Sequence, residues 1–120
     1  MELEGRNEVF RAAIGDGRTI VCRDDGTPYD NLLRIDLLDP EGRVLDSIEA
    51  GGLMADGIFK LLTTRRDGFD FSYFANGETY RLECARHPSW RPFLLLPYGF
   101  RYIRRLTRHY LVVRTLKTGV

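Results

Sequence analysis

Soft and imidazole ligands are few in this chain: Cys22, Cys84, His87 and His109. A metal ion would have to draw on them, and Cys84-Ala85-Arg86-His87 has a spacing that approaches one ion from two sides. A structural zinc site shows two such short pairs, whereas here there is half of the pattern. Both cysteines sit among alternating apolar residues, which explains them as small buried thiols. No metal site and no cofactor is expected. Nucleophilic catalysis needs a thiolate or alkoxide, a base within reach and a group that orients the base. Cys84 with His87 or His109 supplies the residue types, but no glycine-flanked serine elbow or other nucleophile motif accompanies them. The carboxylate pairs Asp24-Asp25 and Asp36 with Asp39 read as turn residues, where aspartate is favoured for its local hydrogen bonds. The 12 glycines never form the strand, glycine loop and helix run that cradles phosphate. An enzyme is the weaker reading.

Arginine is the residue type whose placement has a concrete consequence. Arg101, Arg104, Arg105 and Arg108 recur at i, i+3, i+4 and i+7, with Tyr102, Ile103, Leu106 and Tyr110 as the apolar counterpart. That spacing predicts an amphipathic helix near 100–109 presenting four guanidiniums on one face. Such a face binds anions, and Trp90, Tyr98, Phe100 and Tyr102 are nearby aromatics able to stack on bases or sit at a lipid headgroup boundary. Arg86 and Arg91 could extend it. All 17 carboxylates lie within residues 1–83, while 84–120 hold eight of the 18 basic residues and no acidic one. Two accounts of this asymmetry compete: an open site for an acidic partner, or basic residues compensated by the acidic part of the chain once folded.

The elements that must position these residues are marked by turn chemistry. Asp16-Gly17 separates the apolar segments 9–14 and 19–22, and the pair supplies the positive φ of a tight hairpin. Asp25-Gly26-Thr27-Pro28 ends the second strand. Segments 32–38 and 43–49 flank Asp39-Pro40-Glu41-Gly42, a second hairpin. In 69–75, Phe69, Phe71 and Tyr73 alternate with Asp70 and Ser72, and Tyr80, Leu82 and Cys84 alternate with Arg81 and Glu83. With turns at Asp67-Gly68 and Asn76-Gly77, a three-stranded meander over 58–85 is predicted. Met54, Ile58, Leu61 and Leu62 also fit helical spacing, so 53–65 reads either as a glycine loop leading into a strand from about Ile58 or as one or two helical turns. The stretch His87-Pro88-Ser89-Trp90-Arg91-Pro92 is expected to be irregular, because proline lacks a ladder donor and disfavours helix in the residue before it. Tyr110-Leu111-Val112-Val113 predicts a last strand through about Leu116.

These elements amount to a mainly β chain, with α+β as the variant: an antiparallel meander of about eight strands forming an up-and-down or partly open barrel, plus the late helix. A two-sheet sandwich is the rival. Residues 1–120 fit a single domain. No apolar run approaches the ~20 residues of a transmembrane helix. The acidic start, Met1-Glu2-Leu3-Glu4, and the two unpaired cysteines predict a soluble cytoplasmic protein. The functional expectation is a non-enzymatic binding domain contacting nucleic acid, an anionic membrane surface or an acidic protein through Arg101, Arg104, Arg105 and Arg108. The alternative is a barrel-type carrier of a small apolar ligand, walled by Phe69, Phe71, Tyr73, Tyr80 and Leu82.

Overall fold

The computed structural model describes residues 7–24, 32–51, 57–74, 77–90, 96–104 and 108–117. Its first hairpin joins β1 (Asn7–Ala13) to β2 (Thr19–Asp24). The turn closes through Ile14 N donating to Arg18 O at 2.9 Å and Gly17 N to Ile14 O at 3.1 Å, with Gly17 at φ 91°. β3 (Leu32–Leu38) and β4 (Val44–Gly51) form the second hairpin. Asp39 organises its turn: the side-chain Oδ1 accepts from Glu41 N at 2.9 Å and Arg43 N at 2.8 Å. The aspartate thus satisfies backbone donors that a tight turn leaves without ladder partners. β5 (Gly57–Arg65), β6 (Gly68–Phe74) and β7 (Thr79–Ser89) follow, then β8 (Phe100–Tyr102) and β9 (His109–Lys117).

All pairings are antiparallel, and the strands divide between a five-stranded sheet ordered β1-β2-β3-β4-β8 and a four-stranded sheet ordered β5-β6-β7-β9. The expected meander of β5, β6 and β7 is present, and 57–65 is strand rather than helix. Period-two alternation sends Ile20, Cys22, Leu33, Ile35, Leu37, Ile48 and Ala50 of the first sheet, and Phe69, Phe71, Tyr80, Leu82, Leu111 and Val113 of the second, into one shared core. Aromatic rings fill much of it. Phe71 lies 5.5 Å from Phe59, 5.6 Å from Tyr80 and 6.1 Å from Phe100, centroid to centroid, in stacked, tilted and edge-on arrangements respectively. On the outer faces each sheet holds one buried aspartate between two arginines. Asp36 meets Arg23 and Arg34 and accepts from the Ser47 hydroxyl, and Asp70 meets Arg65 and Arg81. Asp36 is therefore a strand residue rather than a turn residue.

Three expectations are corrected. The sheets do not close into a barrel, because the edge of β4 that closure would need is occupied by β8. Among the described residues there is no helix, and the late helix is replaced by β8, a bend at Ile103 and Arg104, and the start of β9. Phe100-Arg101-Tyr102 fits period two as well as it fits a helix. Phe100 and Tyr102 are buried in the core while Arg101 turns outward, and the strand gives the backbone of β4 a pairing partner along Ile48–Ala50. Finally, β7 continues through His87-Pro88-Ser89. The ladder to β9 is interrupted between Cys84 and Ser89, so Pro88 lies where its missing donor costs no cross-strand bond. The Asp25 to Pro28 turn and Asn76 lie outside the described residues.

Candidate anion-binding site

A buried polar cluster at the seam between the sheets holds β8 and the start of β9. Asp46, on β4, accepts at Oδ1 from Ser47 N and interacts there with His109 Nδ1, both at 2.9 Å. Its Oδ2 accepts from Tyr110 N at 2.8 Å and Leu111 N at 2.9 Å. His109 is fully buried and stacks on Tyr102 with ring centroids 3.6 Å apart and planes 16° apart. The Tyr102 hydroxyl donates to Leu111 O at 2.7 Å. Nε2 is buried without a hydrogen-bond partner among the described residues. No atom of this ring reaches solvent, and the cluster ties β4 to Tyr102 of β8 and to the start of β9. It anchors the chain at Tyr102 and at His109, close in sequence to Arg104 and Arg108.

Of the arginines expected to share a helical face, Arg101 is compensated: Nε donates to Glu49 Oε1 at 2.8 Å and Nη1 to Gly51 O at 3.3 Å. Arg104 and Arg108 are exposed and have no carboxylate partner among the described residues, while Arg105 and Arg91 lie outside them. Arg66 and Arg86 are also exposed and also without an ion-pair partner among the described residues. Every other described arginine is held by a carboxylate.

The uncompensated four collect at one end of the two sheets. Gly68 pairs with Glu83, which sets the β5–β6 turn with Arg66 beside Arg86. Ser89 pairs with His109, which brings Arg108 to the same end of β7. Ile103 N donates to Ser47 O, which carries Arg104 toward the β3–β4 turn. Trp90, the only tryptophan in the chain, leaves β7 directly after Ser89 and is 67% exposed. Phe100 and Tyr102, considered with it as stacking residues, belong to the core, and Tyr98 is exposed. Arg66 escaped the sequence reading, although its position beside a turn pair at a hairpin tip was a usable signal of exposure.

A cleft of about 530 Å³ opens at this end, lined by Ile14, Asp16, Arg18, Arg66, Asp67, Cys84 and Arg86, among others. Arg18 forms its scaffold. The guanidinium is paired with Asp16, donates from Nη1 to Ala85 O at 3.0 Å, and lies 5.4 Å from the Tyr110 ring centroid. Asp16 is accordingly held below the ordinary carboxylate range by its hydrogen bond to Arg18. Cys84 is nearly buried, and desolvation pushes its thiol up to about 11 despite the nearby Arg18 charge. It is no activated nucleophile. Cys22 is likewise pushed up by burial, and both thiols are free. Among the described residues no group of three or more His, Cys, Asp and Glu side chains is arranged to hold a metal.

The residues named as cavity walls, Phe69, Phe71, Tyr73, Tyr80 and Leu82, are all buried in the core, where the aromatic rings pack against one another. No protein-family model, curated protein or solved structure matches the chain.

Proposed function

We propose that this protein is a non-enzymatic binding domain for single-stranded nucleic acid, using Arg66, Arg86, Arg104 and Arg108 for phosphates and Trp90 as a stacking platform. The observation that carries the reading is the segregation of charge. Arginines elsewhere among the described residues are held by carboxylates, whereas these four stand uncompensated around one end, beside an exposed tryptophan. Guanidiniums engage phosphate oxygens in a planar, bidentate fashion, and any base offers a π-face to an indole. An anionic membrane surface is the competing partner, because an exposed indole beside guanidiniums also suits a lipid headgroup boundary, and vesicles therefore serve as the second arm of the test.

The experiment is a fluorescence titration with a short single-stranded oligonucleotide at two salt concentrations. Trp90 is the sole indole, so stacking should quench its emission on binding. Affinity should fall with salt, with a logarithmic slope of roughly −0.7 per neutralised phosphate. Replacing both Arg104 and Arg108 by Gln should weaken binding and flatten that slope by about one unit or less per lost contact. Trp90→Ala should cost about 1–3 kcal/mol of binding. Absence of binding at low salt, or binding confined to anionic vesicles, would overturn the nucleic-acid reading.

A further inference from the structure

The four uncompensated arginines divide into two pairs with different surroundings. Arg104 and Arg108 stand on exposed chain, whereas Arg66 and Arg86 line a concavity. We infer that the cleft between the β1–β2 turn, the β5–β6 turn and β7 is a binding site for a phosphate monoester, held between Arg66 and Arg86. The inference deepens the nucleic-acid reading but stands on its own geometry.

Charge sets the ligand class. Arg18 and Asp16 are spent on each other, which leaves Arg66 and Arg86 against Asp67 within the cleft. Two unpaired guanidiniums suit a dianion, which offers each of them oxygens of its own, better than a carboxylate that one arginine satisfies. An internal phosphodiester carries a single charge, so a terminal phosphate fits this pair better than the middle of a strand does. The volume exceeds what one phosphate fills and falls within the usual range for small-ligand sites. Ile14 and Ala85 offer apolar wall to the organic body, and Asp67 offers an acceptor for a hydroxyl group. The ester has two sources with the same chemistry, a small phosphorylated metabolite or the 5′-phosphate end of a strand.

Cys84 provides a reporter within the cleft, because it lines the cavity while Cys22 is fully buried. An anion lodged beside it blocks access and disfavours the thiolate, so occupancy slows alkylation. The test measures the alkylation rate of Cys84 and the amide shifts of Asp67 and Arg86 in the folded protein. Probes are inorganic phosphate, a ribose 5-phosphate, and one oligonucleotide with either a 5′-phosphate or a 5′-hydroxyl. Phosphate should protect the thiol and move those amides. Arg66→Gln with Arg86→Gln should weaken both effects by about tenfold or more, and Arg11→Gln, at an exposed arginine of β1 paired with Glu8, should leave them unchanged. Arg66→Gln alone serves as the second variant should the pair perturb folding. Stronger protection by the 5′-phosphorylated strand than by its 5′-hydroxyl form places the ester on nucleic acid. Protection by the sugar phosphate with no difference between the strands places it on a metabolite. If phosphate neither protects nor shifts those amides, or if the Arg11 variant loses the effect as fully as the Arg66 and Arg86 pair does, the cleft site is overturned. Trp90 quenching that persists in that case would leave the proposed function standing without the cleft.

Discussion

At the scale of single residues, the outer faces show how little of the acidic charge is left free for other work. Asp70 lies on the outer face of β6, and its carboxyl is held below the ordinary carboxylate range, first by its hydrogen bond with Arg81 and then by Arg65. The sign of its pH effect follows directly. A carboxyl whose folded-state pKa is depressed contributes stability that is fully present above the unfolded-state value and is lost as pH falls through the folded-state value. Asp70→Asn should therefore lower the denaturation midpoint at neutral pH, and the gap between variant and wild type should close on acidification below the ordinary range near 3.8. Urea midpoints measured across pH check this. A gap that stays constant down to the lowest pH would mean that shape, and not charge, is what Asp70 supplies. The same accounting separates Arg101 from Arg104: both belong to the predicted basic face, and Glu49 compensates one of them.

At the scale of elements, close approach between β6 and β7 limits what Gly68 can become. A Cβ built there would lie 1.9 Å from the Leu82 carbonyl oxygen, which is backbone and part of the β6–β7 ladder. At Gly57 the corresponding Cβ meets the Tyr73 ring at 2.4 Å, a side chain at the edge of the aromatic cluster. Gly68→Ala should thus cost more than Gly57→Ala, on the order of 4 kcal/mol or above for the former against about 1–3 kcal/mol for the latter, where overpacking is relieved by ring movement. Equal unfolding free energies for the two variants would contradict this ordering. The sequence made such hairpins legible because their turns need particular residues: Asp16-Gly17 and Asp39-Pro40-Glu41-Gly42 fall where expected. β8 was not legible. Three residues carry too little periodicity to separate strand from helix, and what decides between them is the edge of β4, some fifty residues earlier in the chain. The arginine end was hidden for the same reason. Arg66, Arg86, Arg104 and Arg108 come together through strand register rather than through spacing along one helix, and only half of that set belonged to the expected face.

At the scale of the whole molecule, the question is whether two sheets with open edges behave as one unit. The chain's last two described strands answer structurally: β8 joins the first sheet and β9 the second, and Asp46 ties β4 to the start of β9 through His109, Tyr110 and Leu111. The apolar core is also shared between the sheets, so opening one would expose the inner face of the other. The two cysteines make this measurable, because Cys22 lies in β2 of the five-stranded sheet and Cys84 in β7 of the four-stranded one, both buried. In increasing urea both thiols should rise to their full unfolded-state reactivity at a single midpoint, as for a two-state domain. Asp46→Asn keeps the shape but turns an amide group toward donors on one side, leaving buried N–H groups unsatisfied at a cost of about 3 kcal/mol. With a slope of about 1–3 kcal/mol per molar urea, the midpoint should fall by roughly 1–3 M. The decisive feature is that it should fall equally for Cys22 and Cys84, although Asp46 lies in only one of the two sheets. A variant in which Cys84 becomes reactive well before Cys22 would show that the seam, and not the shared core, couples the sheets. Coincident curves would show that the core holds them together even when the seam is damaged.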